Sequence, residues 1–123
     1  MYEDTPISIM VGKTMKSVYD QDGEKLIFVD LDDVTYTFYH DQSCCESVQI
    51  EDICGDLDDL LGSPILQAEE VSSEDEPPPD QEYLESYSWT FYLFSTIKGS
   101  VTVRWLGTSN GYYSERVDFV VMP

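Results

Sequence analysis

Thr14–His40, TMKSVYDQDGEKLIFVDLDDVTYTFYH, decides the fold class. Its last part alternates cleanly: Val34, Tyr36, Phe38 and His40 share one face, and Thr35, Thr37 and Tyr39 take the other. Thr14 to Tyr19 and Lys25 to Val29 read as two further strands. Between them Gln21-Asp22-Gly23-Glu24 predicts a hairpin turn, because glycine accepts the positive φ that such a turn requires. Leu31-Asp32-Asp33 predicts a second tight turn, so the chain opens as a β-meander. Just ahead of it, Ile7 to Val11, ending at Gly12, reads as one short helical turn.

Working outward, the C-terminal third returns to β-structure. Tyr87, Trp89, Phe91 and Leu93 alternate with Thr90, Tyr92 and Phe94, and both sets are apolar. A strand of that kind belongs at a sheet centre or at a subunit interface. Lys98-Gly99 turns into a strand over Ser100 to Leu106, Ser109-Asn110-Gly111 turns again, and Tyr112 to Val121 closes the sheet. Ile65 to Val71 predicts one more strand. Residues 51 to 61 predict a helix, since Ile50, Ile53, Leu57, Leu60 and Leu61 recur at three- and four-residue spacing opposite Asp52, Asp56, Asp58 and Asp59. Gly62 and Pro64 end it. The expected fold is α+β: an antiparallel β-sheet of five to seven strands with one main helix, in a single domain over residues 1–123.

Charge narrows the partners. Six basic residues face twenty-five acidic ones, a formal net charge of −19. Such a chain repels a nucleic-acid backbone and lacks the basic footprint that DNA or RNA binding needs. Eight acids and no base lie between Glu69 and Glu85, around Pro77-Pro78-Pro79. A solvated acidic loop is therefore expected at about 72–85, either an insertion kept soluble by its charge or a loop that covers a ligand or contacts a partner. Met1 to Met10 carries Glu3, Asp4 and Pro6 and has no basic start, unlike a secretory leader. No apolar run approaches the roughly eighteen residues of a membrane span. Cys44, Cys45 and Cys54 are odd in number and suit a reducing cytoplasm.

Catalytic and metal patterns are weak. His40 precedes Asp41, Cys44, Cys45 and Glu46, which suggests a Cys–His pair. Its place on the apolar face of a strand predicts instead a buried imidazole hydrogen-bonded to a neighbour. A zinc site from His40, Cys44, Cys45 and Cys54 lacks the usual ligand spacing, and adjacent cysteines fit poorly in one tetrahedral shell. Cys44 and Cys45 read better as small apolar packing groups. No catalytic residue, metal or cofactor is expected. Phosphate recognition has more to work with. Lys98, Arg104 and Arg116 fall close together in sequence among Trp89, Phe91, Tyr92, Trp105, Tyr112 and Tyr113. Guanidinium groups pair with phosphate oxygens, aromatic rings stack on bases, and Asn110 can read an adenine edge. The plainer alternative is an aromatic core with surface arginines paired to acids.

Two blocks carry a family resemblance. One runs from His40-Asp41-Gln42-Ser43-Cys44-Cys45-Glu46 to Ile53. The other is Lys98-Gly99-Ser100-Val101-Thr102-Val103-Arg104-Trp105, with Ser109-Asn110-Gly111-Tyr112-Tyr113 and Val117-Asp118-Phe119. With Gly62-Ser63-Pro64-Ile65 and Ala68-Glu69-Glu70 they resemble small phage proteins of the first anti-Thoeris type, over most of residues 12 to 121. Ser43 stands where that family has Asp. The resemblance implies a non-enzymatic sponge that sequesters glycocyclic ADP-ribose, the signal made by bacterial TIR-domain proteins, in pockets at a homodimer interface. It extends to cyclic oligonucleotides at separate positions, to larger rings such as a trimer of dimers, and to the host bacterial cytoplasm. Its motif maps onto Asn110, Tyr112 and Tyr113. Chemistry alone assigns Arg104 and Arg116 to the pyrophosphate and Trp89 and Phe91 to base or ribose packing. The rival expectation is an acidic nucleic-acid mimic that blocks a basic groove on a host defence nuclease.

Overall fold

A computed structural model of the chain describes residues 6–41, 46–73, 86–109 and 116–123. Within them lie eight strands: β1 (Met15–Gln21), β2 (Lys25–Asp30), β3 (Thr35–Tyr39), β4 (Ser47–Cys54), β5 (Gln67–Ser73), β6 (Ser86–Thr96), β7 (Gly99–Ser109) and β8 (Asp118–Met122). They form two four-stranded antiparallel sheets, ordered β1-β2-β3-β8 and β4-β7-β6-β5. The antiparallel β-architecture agrees with the sequence. The count of five to seven strands in one sheet does not.

The opening meander forms where the alternation places it. Asp22 and Gly23 both take positive φ, and the Glu24 amide donates to the Gln21 carbonyl at 3.0 Å. The second turn is held by a side chain. Asp30, 2% exposed, accepts from the amides of Asp32 (2.8 Å) and Val34 (3.0 Å) and from the Tyr36 hydroxyl (2.8 Å). Burial raises the Asp30 carboxyl, but these three bonds and the charge of Lys13 outweigh it and leave the group below its ordinary value. Ile7–Met10 is a 3-10 turn followed by Gly12 at φ +88°, the short helical turn expected there.

The two sheets pack face to face. Tyr36 and Phe38 are buried between them while Thr35, Thr37 and Tyr39 are half-buried, as their alternation predicts. Phe28 of β2 meets Phe94 of β6 at 4.9 Å between ring centroids, and Phe38 of β3 meets Tyr92 of β6 at 4.7 Å. Tilted ring contacts of this kind add about 0.5–1.5 kcal/mol each beyond the area they remove from water. Strand β6, apolar on both faces, lies between β5 and β7, the sheet-centre placement its sequence calls for.

The expected main helix over residues 51 to 61 is absent. Ser47–Cys54 pairs with β7 instead, and a bulge interrupts the register between Ile50 and Asp52. That bulge explains the misleading spacing. Val48 and Ile50 point inward two residues apart; the extra residue, Glu51, then shifts the phase so that Ile53 also packs on the core three residues later. Leu57–Leu60 is only a 3-10 turn, with the Asp56 side chain accepting from the Asp58 amide. Gly55 separates the two pieces at φ +116°, and a Cβ there would lie 2.7 Å from the Ser100 carbonyl oxygen. The three-residue steps arise from a bulge, a glycine and a tight turn in succession. β5 begins two residues later than expected, and residues 74–85 of the acidic stretch lie outside the described residues.

Candidate functional site

Strand alternation decides where Arg104 points. Val101, Val103 and Trp105 are buried between the sheets, so Arg104 lies on the opposite, outer face of β7. There it is the direct cross-strand partner of Phe91, and its guanidinium carbon sits 5.0 Å from the centre of the Trp89 ring. Trp89 is 7% exposed, so the indole is a floor beneath the cation rather than a free stacking surface. A cation over an indole is worth about 0.5–2 kcal/mol. Arg104 Nε is buried with no hydrogen-bond partner among the described residues, an unsatisfied donor beside a fixed charge.

Arg116 precedes β8 and lines a different feature. A cavity of about 420 Å³ opens where the first 3-10 turn, β5 and the start of β8 meet at the edge of the sandwich. Arg116, Tyr92, Phe119, Ile7, Glu69 and Glu70 are among its walls. The Tyr92 hydroxyl donates to Glu70 Oε1 at 3.0 Å. Burial, and then the neighbouring Glu70 charge, push that phenol well above its ordinary value, while Arg116 pulls the other way. Tyr92 therefore stays neutral, a donor already aimed at a carboxylate.

His40 joins this region to the start of β4. Its Nε2 lies 2.9 Å from Glu46 Oε2 and its Nδ1 lies 2.7 Å from the Arg116 carbonyl oxygen, with side-chain exposures of 4% for His40 and 1% for Glu46. The imidazole is the buried, hydrogen-bonded group that its strand position predicts. With both ring nitrogens engaged, neither offers a lone pair to a metal or a base to a thiol. Cys44 and Cys45 lie outside the described residues. Cys54 is exposed, and its thiol donates to Asp52 Oδ2 at 3.3 Å; that bond and the Asp52 charge push it up, away from the reactive thiolate. Among the described residues no group of three or more His, Cys, Asp or Glu side chains is placed to hold a metal ion.

The expected basic cluster is thus divided within the chain. Lys98 sits at the β6–β7 hairpin, where its Nζ donates to the Leu61 carbonyl at 2.7 Å. Arg104 lies six residue steps further along extended β7, about 20 Å at strand rise. Arg104 faces outward from the second sheet, whereas the Arg116 cavity reaches Tyr92 on that sheet's inner face. Trp89, Phe91 and Arg104 are brought together; Arg116 is not with them. Asn110, Tyr112 and Tyr113 lie outside the described residues. Sequence reasoning missed Glu46, Glu70 and Phe119 as site residues. Glu70 carried a usable signal, since it shares the inward phase of Ala68 in β5. Glu46 stood six residues from His40, in the group that begins with it.

Residues 8–119 match the family described as Domain of unknown function (DUF7448). The chain belongs to that family. The match runs from the first 3-10 turn into β8, so the DUF7448 domain includes β1 to β7, Arg104 and most of the walls of the Arg116 cavity. No curated protein and no solved structure matches the chain. In this DUF7448 chain no helix of the described residues is long and apolar enough to cross a membrane.

Proposed function

We propose that this DUF7448 protein is an anti-defence sponge: it binds glycocyclic ADP-ribose, holds it uncleaved in the cytoplasm of an infected bacterium, and so keeps the Thoeris effector silent. The cavity at Arg116 carries this reading. Its volume of about 420 Å³ falls in the range of small-molecule sites. Its chemistry suits a ligand that is part anion and part polyol. Arg116 offers a cation to a phosphate, the half-buried Phe119 offers ring surface, and Glu69 and Glu70 offer acceptors to ribose hydroxyls, while Tyr92, 1% exposed, closes the floor and holds Glu70. Two carboxylates beside a purely anionic ligand would repel it. Beside a sugar they accept hydrogen bonds.

The Arg104–Trp89–Phe91 array supports a second half of the same site. Arg104 holds its guanidinium over the Trp89 ring on the outer face of β7, a fixed cation of the kind that pairs with phosphate oxygens. Because Arg104 and Arg116 of one protomer face apart, a pyrophosphate held by both takes one arginine from each of two protomers. The homodimer, and a trimer of dimers built from it, follows from that requirement and from the family resemblance. Asn110, Tyr112 and Tyr113 join the ligand on the resemblance alone, as do cyclic oligonucleotides as further cargo.

Capture and release test the proposal. Purified protein is mixed with the TIR-domain product, separated from free ligand, heat-denatured, and the supernatant is read by mass spectrometry. The expected result is recovery of the ligand at unchanged mass. Hydrolysed fragments would make the protein an enzyme, and absence of capture would remove the sponge altogether.

A further inference from the structure

His40 and Glu46 are buried polar groups to which the proposed capture assigns no part. The Arg116 carbonyl can only accept, so a 2.7 Å contact with His40 Nδ1 requires a hydrogen on that nitrogen. The 2.9 Å contact between Nε2 and Glu46 Oε2 then holds a second hydrogen between ring and carboxyl. Neither partner reaches water freely, at 4% and 1% side-chain exposure. In such surroundings a hydrogen bond is electrostatically stronger and an unmade one costs more, so the ring orientation is fixed from both sides.

We infer that His40 is a positioning residue for ligand capture: anchored by Glu46, it grips the Arg116 backbone and sets the root of the guanidinium that lines the cavity. The inference rests on the reading of that cavity as the ligand site. Fixing the Arg116 carbonyl fixes its Cα, and with it the direction in which the side chain leaves the backbone at the start of β8. Val117, the next residue, is buried and also lines the cavity, so the gripped segment is anchored on its other side as well. A cation placed in advance loses less freedom on binding than one that must be ordered by its ligand.

Two isosteric variants separate this role from general packing. Asn at position 40 places its amide nitrogen where Nδ1 lies, and Gln places its own where Nε2 lies. His40→Asn therefore keeps the bond to the Arg116 carbonyl, and His40→Gln keeps only the bond to Glu46. With glycocyclic ADP-ribose as the probe in calorimetry, His40→Gln is expected to lose about ten-fold in affinity and His40→Asn to stay within about three-fold of wild type. Equal losses in both, or none in His40→Gln, would overturn the positioning role. The single histidine makes a folding-independent control direct. In wild-type protein the imidazole NMR spectrum should show a slowly exchanging Nδ1–H; a ring protonated on Nε2 alone would overturn the proposal whatever the variants do. If wild type takes up no ligand, the proposed function fails separately. The clamp is then judged by that ring signal and by the amide shifts of Arg116 and Val117, which His40→Gln should move and His40→Asn should largely spare.

Discussion

A mixing experiment tests whether the ligand site spans two protomers. Arg104 leaves the outer face of the second sheet, and Arg116 lines a cavity that reaches the inner face. If a pyrophosphate contacts both, each site takes Arg104 from one protomer and Arg116 from its partner. Arg104→Ala and Arg116→Ala each remove a hydrogen bond to a charged group, worth about 1.5–3 kcal/mol, or roughly 10- to 150-fold in affinity. Each single variant should therefore bind about 10- to 150-fold more weakly in calorimetry and show no sites of wild-type affinity. Now let the two variants exchange subunits at equal concentration. Half of the dimers become mixed, and in each mixed dimer one site inherits both lesions while the other inherits none. About a quarter of all sites should bind with wild-type affinity. A site built within one protomer gives the opposite outcome, because every protomer in the mixture lacks one arginine and no tight sites return. That result, with exchange verified by native mass spectrometry, would refute the composite geometry.

Further consequences concern stability and charge. Asp30→Asn should cost about 3 kcal/mol in urea unfolding at pH 7, since a buried carboxylate with three donors is replaced by a group that cannot accept from all of them. The folded-state value of Asp30 is depressed, so its contribution is complete above the unfolded value near 3.9 and is lost as pH falls through the folded one; the gap between wild type and Asp30→Asn should narrow as pH falls below about 4. Gly55→Ala, at φ +116° and with a Cβ 2.7 Å from the Ser100 oxygen, should lower stability by about 2 kcal/mol or more in the same assay. Arg104→Met should leave stability within about 1 kcal/mol of wild type, because loss of the cation over Trp89 offsets removal of a buried unpaired donor, while ligand affinity falls at least ten-fold. Rising salt from about 10 to 150 mM should quicken ligand association in stopped flow, because it screens an anion from a −19 surface. A nucleic-acid mimic docking on a basic groove would instead slow.

The sequence spoke clearly wherever a single physical signal dominated. Alternation placed Tyr36 and Phe38 in the core, and Asp22-Gly23 marked its turn, because period two and positive φ are local properties. It misled at Ile50–Leu61, where a β-bulge, Gly55 and a 3-10 turn together imitate a helical period that none of them has. Asp30 was invisible as a turn staple, since its three donors come from a conformation rather than a motif. Crowding in sequence was likewise mistaken for crowding in space. Residues 98, 104 and 116 are near one another along the chain, yet a hairpin end, an outward strand face and a sandwich edge hold them apart. His40 could be read as buried from its phase, and Glu46 stood six residues away in the same group, but the Arg116 carbonyl, 76 residues on, leaves no local trace.

The allocation of cations explains why so few suffice. Lys16 pairs with Asp33 at the surface, Lys13 sits in the field of Asp30, and Lys98 caps the Leu61 carbonyl. Those three act on the fold and Lys25 lies exposed at the start of β2, which leaves little to set against a net charge of −19 by long-range attraction. An anion that approaches this protein is repelled until it is within contact distance, so retention must come from directed bonds at close range rather than from steering. Arg104 and Arg116 fit that division of labour. One is fixed on an indole floor and the other is rooted by a buried imidazole, and neither depends on a positive surround. A sponge needs slow release more than fast capture, and release is governed by such short-range contacts. An acidic surface that weakens encounter therefore does not conflict with the proposed role.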